Sequence, residues 1–426
     1  MTFPARPFSA RGGALRWAPR PARLLAAVAL ALAFAFALSA PVAGADVSEG
    51  FGVQTRAGVE IKKGSLALEY HGGPVLHSSD VYLVYWDPEH RYRGDWERLI
   101  DGYFRQTGEQ SGALSNVYAF DGQYSDATGR ASNQLTFRGS YKDENAYPTT
   151  AEGGNCTETG AQVLDGSEPE ICLTDKQIRA EVQRVIHSVA PPLPGSSGTP
   201  IYYILTPPGV NVCTNASTAA TCAFSKAEAK EASESKVVKS GLCGYHSFVE
   251  PKAGEYLPYV VQPWVAGSAG LFVTKEEETS GETTDALSCQ DKKQLTEPNQ
   301  LTELNPFGNY AEGLADLLVN DVSIEQRDVV TDPLLNGWYV TSTGAEQGDM
   351  AQFNFGPLPK AATPDEHTHA ITFGNETVGG SSYFVSWGYN SLLGLLSELE
   401  YGAAGVSLEP YLSLIHISEP TRQAEI

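Results

Sequence analysis

The chain has 426 residues, with 51 acidic side chains against 29 basic ones and a formal charge of −22. So negative a surface repels nucleic acid and anionic membranes, and it suits cations, cationic surfaces or neutral glycans. The partners this leaves in view are a cell-wall glycan or another extracellular protein.

The first 45 residues carry five arginines and no acids, then the apolar run Leu24–Leu38 and the small residues Ala43 and Ala45. A charged start, a short apolar centre and a small-residue exit describe a signal peptide over residues 1–45, cleaved after Ala45. The run is short for a bilayer span, so no stable membrane anchor is expected after cleavage. Without those five arginines, 24 bases face 51 acids. Residues 46–65 are polar and read as a flexible N-terminal segment.

A single domain is expected over residues 66–400. "DVYLVYW", Asp80–Trp86, reads as a buried strand. Trp96, Leu99, Ile100, Tyr103 and Phe104 follow at helical spacing. "SNVYAF" and "NQLTFRGSY" read as strands of an antiparallel excursion. Thr174 with Gln177 three residues on forms a capping-box pattern before a helix whose apolar face is Ile178, Val182, Val185, Ile186 and Val189. "IYYILT", Ile201–Thr206, is a further buried strand. The fold class that follows is α/β or α+β, one mixed sheet with flanking helices. Two polar, aromatic-poor stretches, about 214–241 and 273–303, read as surface insertions. Residues 401–426 read as a tail. Within it, "LSLIHISEPTR" (Leu412–Arg422) resembles the in-frame translation of a sequencing-library adapter, so no function is read from residues 412–426.

The six cysteines, Cys156, Cys172, Cys213, Cys222, Cys243 and Cys289, are even in number and follow a leader. That pattern predicts three disulfides and an extracellular location. Proximity suggests Cys156–Cys172 and Cys213–Cys222, which leaves Cys243–Cys289, although six cysteines allow fifteen pairings. There is no Cys-x-x-Cys, no Gly-x-Ser-x-Gly elbow and no Walker loop. Zinc ribbons, serine hydrolases of that type and phosphate-loop enzymes are therefore poor fits.

One segment carries a chemical question. In "VSIEQRDVVTDPLLNGWY", with Asp321 just before it, acids fall at Asp321, Glu325, Asp328 and Asp332. Steps of four, three and four place them on one side of a helix that Asp332-Pro333 ends. Such a stripe requires a cation, a partner or solvent. His71, in "YHGGP", reads first as part of a turn. His246, in "CGYHS", reads equally as a buried hydrogen-bonded residue or as a ligand. His367 and His369 lie two apart before a strand. Tyr256, Tyr259 and Trp264 are candidates for a sugar-stacking surface, with core packing the commoner role of such residues.

Three blocks in order, "LEYHGGPVL" (Leu68–Leu76), "CGYHSF" (Cys243–Phe248) and "VVTDPLLNGWY" (Val329–Tyr339), resemble the EXORDIUM-like, or phosphate-induced protein 1, family of secreted proteins. The likeness covers about residues 66–390. It implies an extracellular binding or signalling role with no established catalytic step. In the family's bacterial branch this helix often carries His-Glu-x-x-Glu or His-Glu-His-x-Glu, a zincin-like helix with two ligands at i and i+4 and a water-activating glutamate between them. Here Ile324 holds the first ligand position, Glu325 keeps the glutamate and Asp328 takes the i+4 position. "EQGD", Glu346–Asp349, resembles the family's Glu-x-Gly-Asp, but the cysteine expected after it is missing, with Ala351 nearby. The resemblance thus points to a degenerate or oxygen-only metal centre drawing on Asp321, Asp328, Asp332, Glu346, Asp349 and His246. Calcium or zinc is the candidate ion. The catalytic alternative is a metal-dependent hydrolase with Glu325 as base, and a further alternative is a calcium-stabilised glycan-binding protein.

Overall fold

The computed structural model of the chain describes residues 52–54, 68–92, 96–113, 116–148, 156, 171–192, 196–214, 222–223, 242–264, 310–351, 376–378, 381–383, 385–386, 388–390 and 395–397. Its centre is a six-stranded mixed sheet. The strands are β1 (Gly52–Gln54), β3 (Ser79–Trp86), β4 (Leu135–Asp143), β6 (Thr199–Leu205), β8 (Gly244–Lys252) and β9 (Glu255–Gln262). Their spatial order is β1-β8-β9-β6-β3-β4. β4, β3, β6 and β9 run parallel, while β8 is antiparallel to both β9 and β1. Every residue of β3 is buried, as its unbroken apolar run demands of a strand covered on both faces.

The covering helices are α1 (Trp96–Glu109), α2 (Asp175–Ser188) and α3 (Tyr310–Thr331). Side-chain alternation along β6 tells which face each one covers. The Tyr202 hydroxyl donates to the Ala190 carbonyl just past α2 (2.7 Å), whereas its neighbour Tyr203 donates to Gln326 Oε1 of α3 (2.8 Å). Phe104 of α1 also meets Tyr203 edge-on, at 4.9 Å between ring centres. α1 and α3 therefore share one face, and α2 lies on the other. The expected amphipathic helix is α1, which buries Trp96, Ile100, Tyr103 and Phe104. Each such side chain contributes roughly 1.5–3 kcal/mol of burial. The capping box forms as well: Thr174 N–H donates to Gln177 Oε1 at 2.9 Å. The single mixed α+β domain of the sequence reading is thus the observed architecture.

Three local expectations need correction. β4 pairs parallel to β3, where an antiparallel excursion was expected. α1 lies between the two strands and supplies the crossover that a parallel pair requires. "SNVYAF" is no strand: Val117–Gln123 forms a 3-10 turn with Val117, Tyr118, Ala119 and Phe120 buried in succession. A short continuous apolar run carries no periodicity to separate those outcomes. The stretch read as a flexible lead-in contributes β1, where Gly52 faces His246.

Cys156–Cys172 and Cys213–Cys222 are disulfides, as proximity suggested. Cys243 is also disulfide-bonded, and Cys289 lies outside the described residues. So do residues 1–45, the insertion 273–303, most of 214–241, the tail 401–426, and His367 and His369. Among the described residues, no helix is long and apolar enough to cross a membrane.

Candidate metal centre

The acidic stripe lies on the inward side of α3. Asp321, Glu325, Asp328 and Asp332 are each at most 2% exposed, so solvent does not satisfy them. The helix ends at Thr331, where Asp332 N–H still reaches Asp328 O (2.8 Å) and Pro333 permits no further turn.

Block by block, the chain closes around this helix end. β2 (Glu69–Tyr70) pairs antiparallel with β10 (Trp338–Tyr339), joining the first quoted block to the third. Gly73 packs against Asn336, leaving no space for a Cβ. In the second block, alternation along β8 turns Gly244 and His246 towards α3 and Tyr245 towards α2, where its hydroxyl donates to Asp175 (3.0 Å). A Cβ on Gly244 would stand 3.0 Å from Glu325 Oε1. The "EQGD" turn then lies directly on α3. A Cβ on Gly348 would meet the Ile324 carbonyl at 2.7 Å and Asp328 Oδ2 at 2.8 Å. This close approach lets Gly348 N–H donate to Asp328 Oδ1.

The result is a set of carboxylates from distant parts of the chain. Oxygens of Asp328, Glu346 and Asp349 lie within 4.8 Å of one another, all buried. His246, fully buried, stands between this group and Glu325. Its Nε2 is 3.5 Å from Glu346 Oε1 and its Nδ1 is 3.5 Å from Glu325 Oε2. Nε2 is also 3.0 Å from the Asp332 carbonyl. A carbonyl only accepts, so Nε2 carries the proton, and in the neutral ring Nδ1 holds a lone pair. That Nδ1 makes no hydrogen bond.

The electrostatics are unfavourable without a compensating positive charge. Burial, with Asp349 and Glu325 adding to it, pushes Asp328 well above the carboxylate range. Glu346 is pushed up likewise, by burial and then by Asp332, Asp328, Asp349 and Glu325. Burial also lifts Asp349, to about 7, and raises Asp332 despite the Gly337 N–H bonded to its Oδ1 at 2.5 Å. His246 is shifted down by burial, towards its neutral form. Arg327 is fully buried on the same helix and its field favours the charged forms of Asp328 and Asp349. One guanidinium is short of Glu325, Asp328, Asp332, Glu346 and Asp349 together.

Three hard oxygen donors within reach of one point suit a divalent cation. Glu346 Oε1, buried and without a hydrogen bond, fits that requirement. Ile324 is fully buried and offers no ligand atom from its side chain. Asp321 is buried a turn earlier and is not part of the carboxylate triad, while Asp332 is engaged with the turn that follows the helix.

Other sequence candidates lie elsewhere or serve the fold. His71 stacks on Tyr339 with ring centres 3.6 Å apart. Tyr259 and Trp264 are buried and form no sugar platform. Tyr259 donates to Asp175 (2.5 Å), Trp264 packs on Trp96 (3.9 Å), and Tyr256 is partly covered against Phe248 (5.6 Å). Sequence reasoning missed Arg327, Gly244 and Gly348. The glycines of "CGYHS" and "EQGD" were the available signal, since glycine next to candidate ligands marks close backbone approach. Compared with known protein families, curated proteins and solved structures, the chain matches none.

Proposed function

We propose that this chain is an exported EXORDIUM-like protein, of the phosphate-induced protein 1 type, that acts by binding and not by catalysis, and whose α3 centre holds one divalent cation as a structural element. Asp328, Glu346 and Asp349 are its oxygen ligands, with the His246 Nε2–H facing Glu346 from outside the ligand set. The observation that carries this reading is the meeting of those three carboxylates in a site where none is more than 7% exposed. A buried centre of this kind stabilises a fold, whereas a catalytic ion needs an open position for water or substrate. Calcium matches the oxygen-rich donor set better than zinc does. The disulfides and the leader-like first 45 residues support export, and the assembly of the three blocks around α3 supports the family reading.

Elemental analysis and melting of purified protein test it. About one calcium per chain, and a melting temperature that falls on chelation and recovers on calcium addition, is the expected result. Full stability without metal, unmoved by calcium or zinc, overturns it. A second reading, metal-dependent hydrolysis with Glu325 as base, draws on the 3.5 Å approach of Glu325 to His246. Zinc-dependent peptide or ester cleavage that Glu325→Gln abolishes would establish it in place of the first.

A further inference from the structure

A second group of ligand atoms lies on another part of the fold. β5 (Ile171–Thr174) and β7 (Val210–Cys213) form a parallel pair that brings Cys172 and Cys213 together, and Cys213 also bridges to Cys222. Four sulfurs from Cys156, Cys172, Cys213 and Cys222 thus occupy one buried spot. They are more than two neighbouring staples. Cys213 Sγ is bonded to Cys222, lies 3.1 Å from Cys156 Sγ and lies 3.8 Å from Cys172 Sγ. Cross-linking two loops does not require two disulfides to touch.

The spacing matches a metal geometry. Zinc–thiolate bonds of about 2.3 Å place the sulfurs of a tetrahedral tetrathiolate about 3.8 Å apart. The two contacts that Cys213 makes with the other bridge are already at or below that distance. On reduction, the two bonded pairs and the 3.1 Å Cys156–Cys213 contact need to open to about that spacing.

We propose that these four cysteines form a redox-gated site for a zinc-type cation, closed as two disulfides when oxidised and open as a tetrathiolate when reduced. With a phosphine reductant, each disulfide accepts the phosphorus electron pair. Water supplies the oxygen of the phosphine oxide and two protons, and two thiols result. One Zn²⁺ then binds four thiolates and releases four protons, leaving a centre of net charge −2. Thiolate sulfur selects zinc-type ions over calcium, so this site is chemically separate from the carboxylate centre on α3.

The test is cobalt(II) titration of the full chain, oxidised and phosphine-reduced, without oxygen. The reduced protein is expected to bind one cobalt with the intense thiolate-to-metal charge-transfer band of a tetrahedral sulfur site, and zinc should displace it. The oxidised protein should show no such band. Cys213→Ser should lose most of the band, because Cys213 touches all three partners, while Cys243→Ala should keep it. Absence of the band in the reduced chain, or its survival in Cys213→Ser, overturns the proposal. So does circular dichroism showing that the reduced chain loses its β-structure and that zinc does not restore it.

Discussion

Gly348 has no room for a side chain, because the Ile324 carbonyl would lie 2.7 Å from its Cβ. Gly348→Ala must push the "EQGD" turn off α3, and overpacking of this kind costs about 1–3 kcal/mol. The urea midpoint should fall with an unchanged slope, and cation binding should weaken with it. Asp328→Asn separates charge from shape. The amide keeps an oxygen for the Gly348 N–H but removes one of several repelling acids. The variant should therefore melt higher than the parent in chelator and lower than the parent in calcium. The same sign in both solutions would show that no cation is held there. Ile324→His places an imidazole at i with Asp328 at i+4. Competition titration should show zinc binding tightened roughly tenfold or more.

At the scale of elements, α3 departs from the usual surface helix. From Leu318 to Asp332 every residue is buried, so it runs through the molecule with a polar stripe directed inward. Such a helix is held by its neighbours and not by its own propensity. α2 is different, because its start is encoded locally. Thr174 and Gln177 exchange the hydrogen bonds that satisfy the first turn. Thr174→Ala should cost about 1 kcal/mol, read as a lower melting temperature, with metal content unchanged.

Across the whole molecule, the buried acids predict a pH response. Asp328, Glu346 and Asp349 are raised by burial, Asp349 to about 7. Without cation, the folded chain then binds more protons than the unfolded one between roughly pH 4 and 7, and stability falls as pH rises through that window. His246 is shifted down, so its contribution runs the other way and grows as pH rises through about 6.5. Three carboxylates outweigh one imidazole. Scanning calorimetry of chelated protein should give a higher melting temperature near pH 5 than near pH 8. Calcium should narrow or reverse the difference, since protons and the ion compete for the same oxygens.

Much of this architecture could be read from local pattern. The apolar run at Asp80–Trp86, the helical spacing from Trp96 to Phe104 and the Thr174–Gln177 cap each follow from neighbours within a few residues, which is the range over which periodicity and capping act. The one-sided stripe from Asp321 to Asp332 was legible for the same reason. What covers that stripe was not, because burial is a property of the assembled core. Only the tertiary structure brings Glu346 and Asp349 to Asp328 and His246 to Glu325 and Glu346, since these residues are joined by strand pairing and by glycines that permit backbone contact. The direction of β4 and the 3-10 turn at Val117–Gln123 were decided there too, by the crossover through α1 and by packing that a short apolar run does not specify.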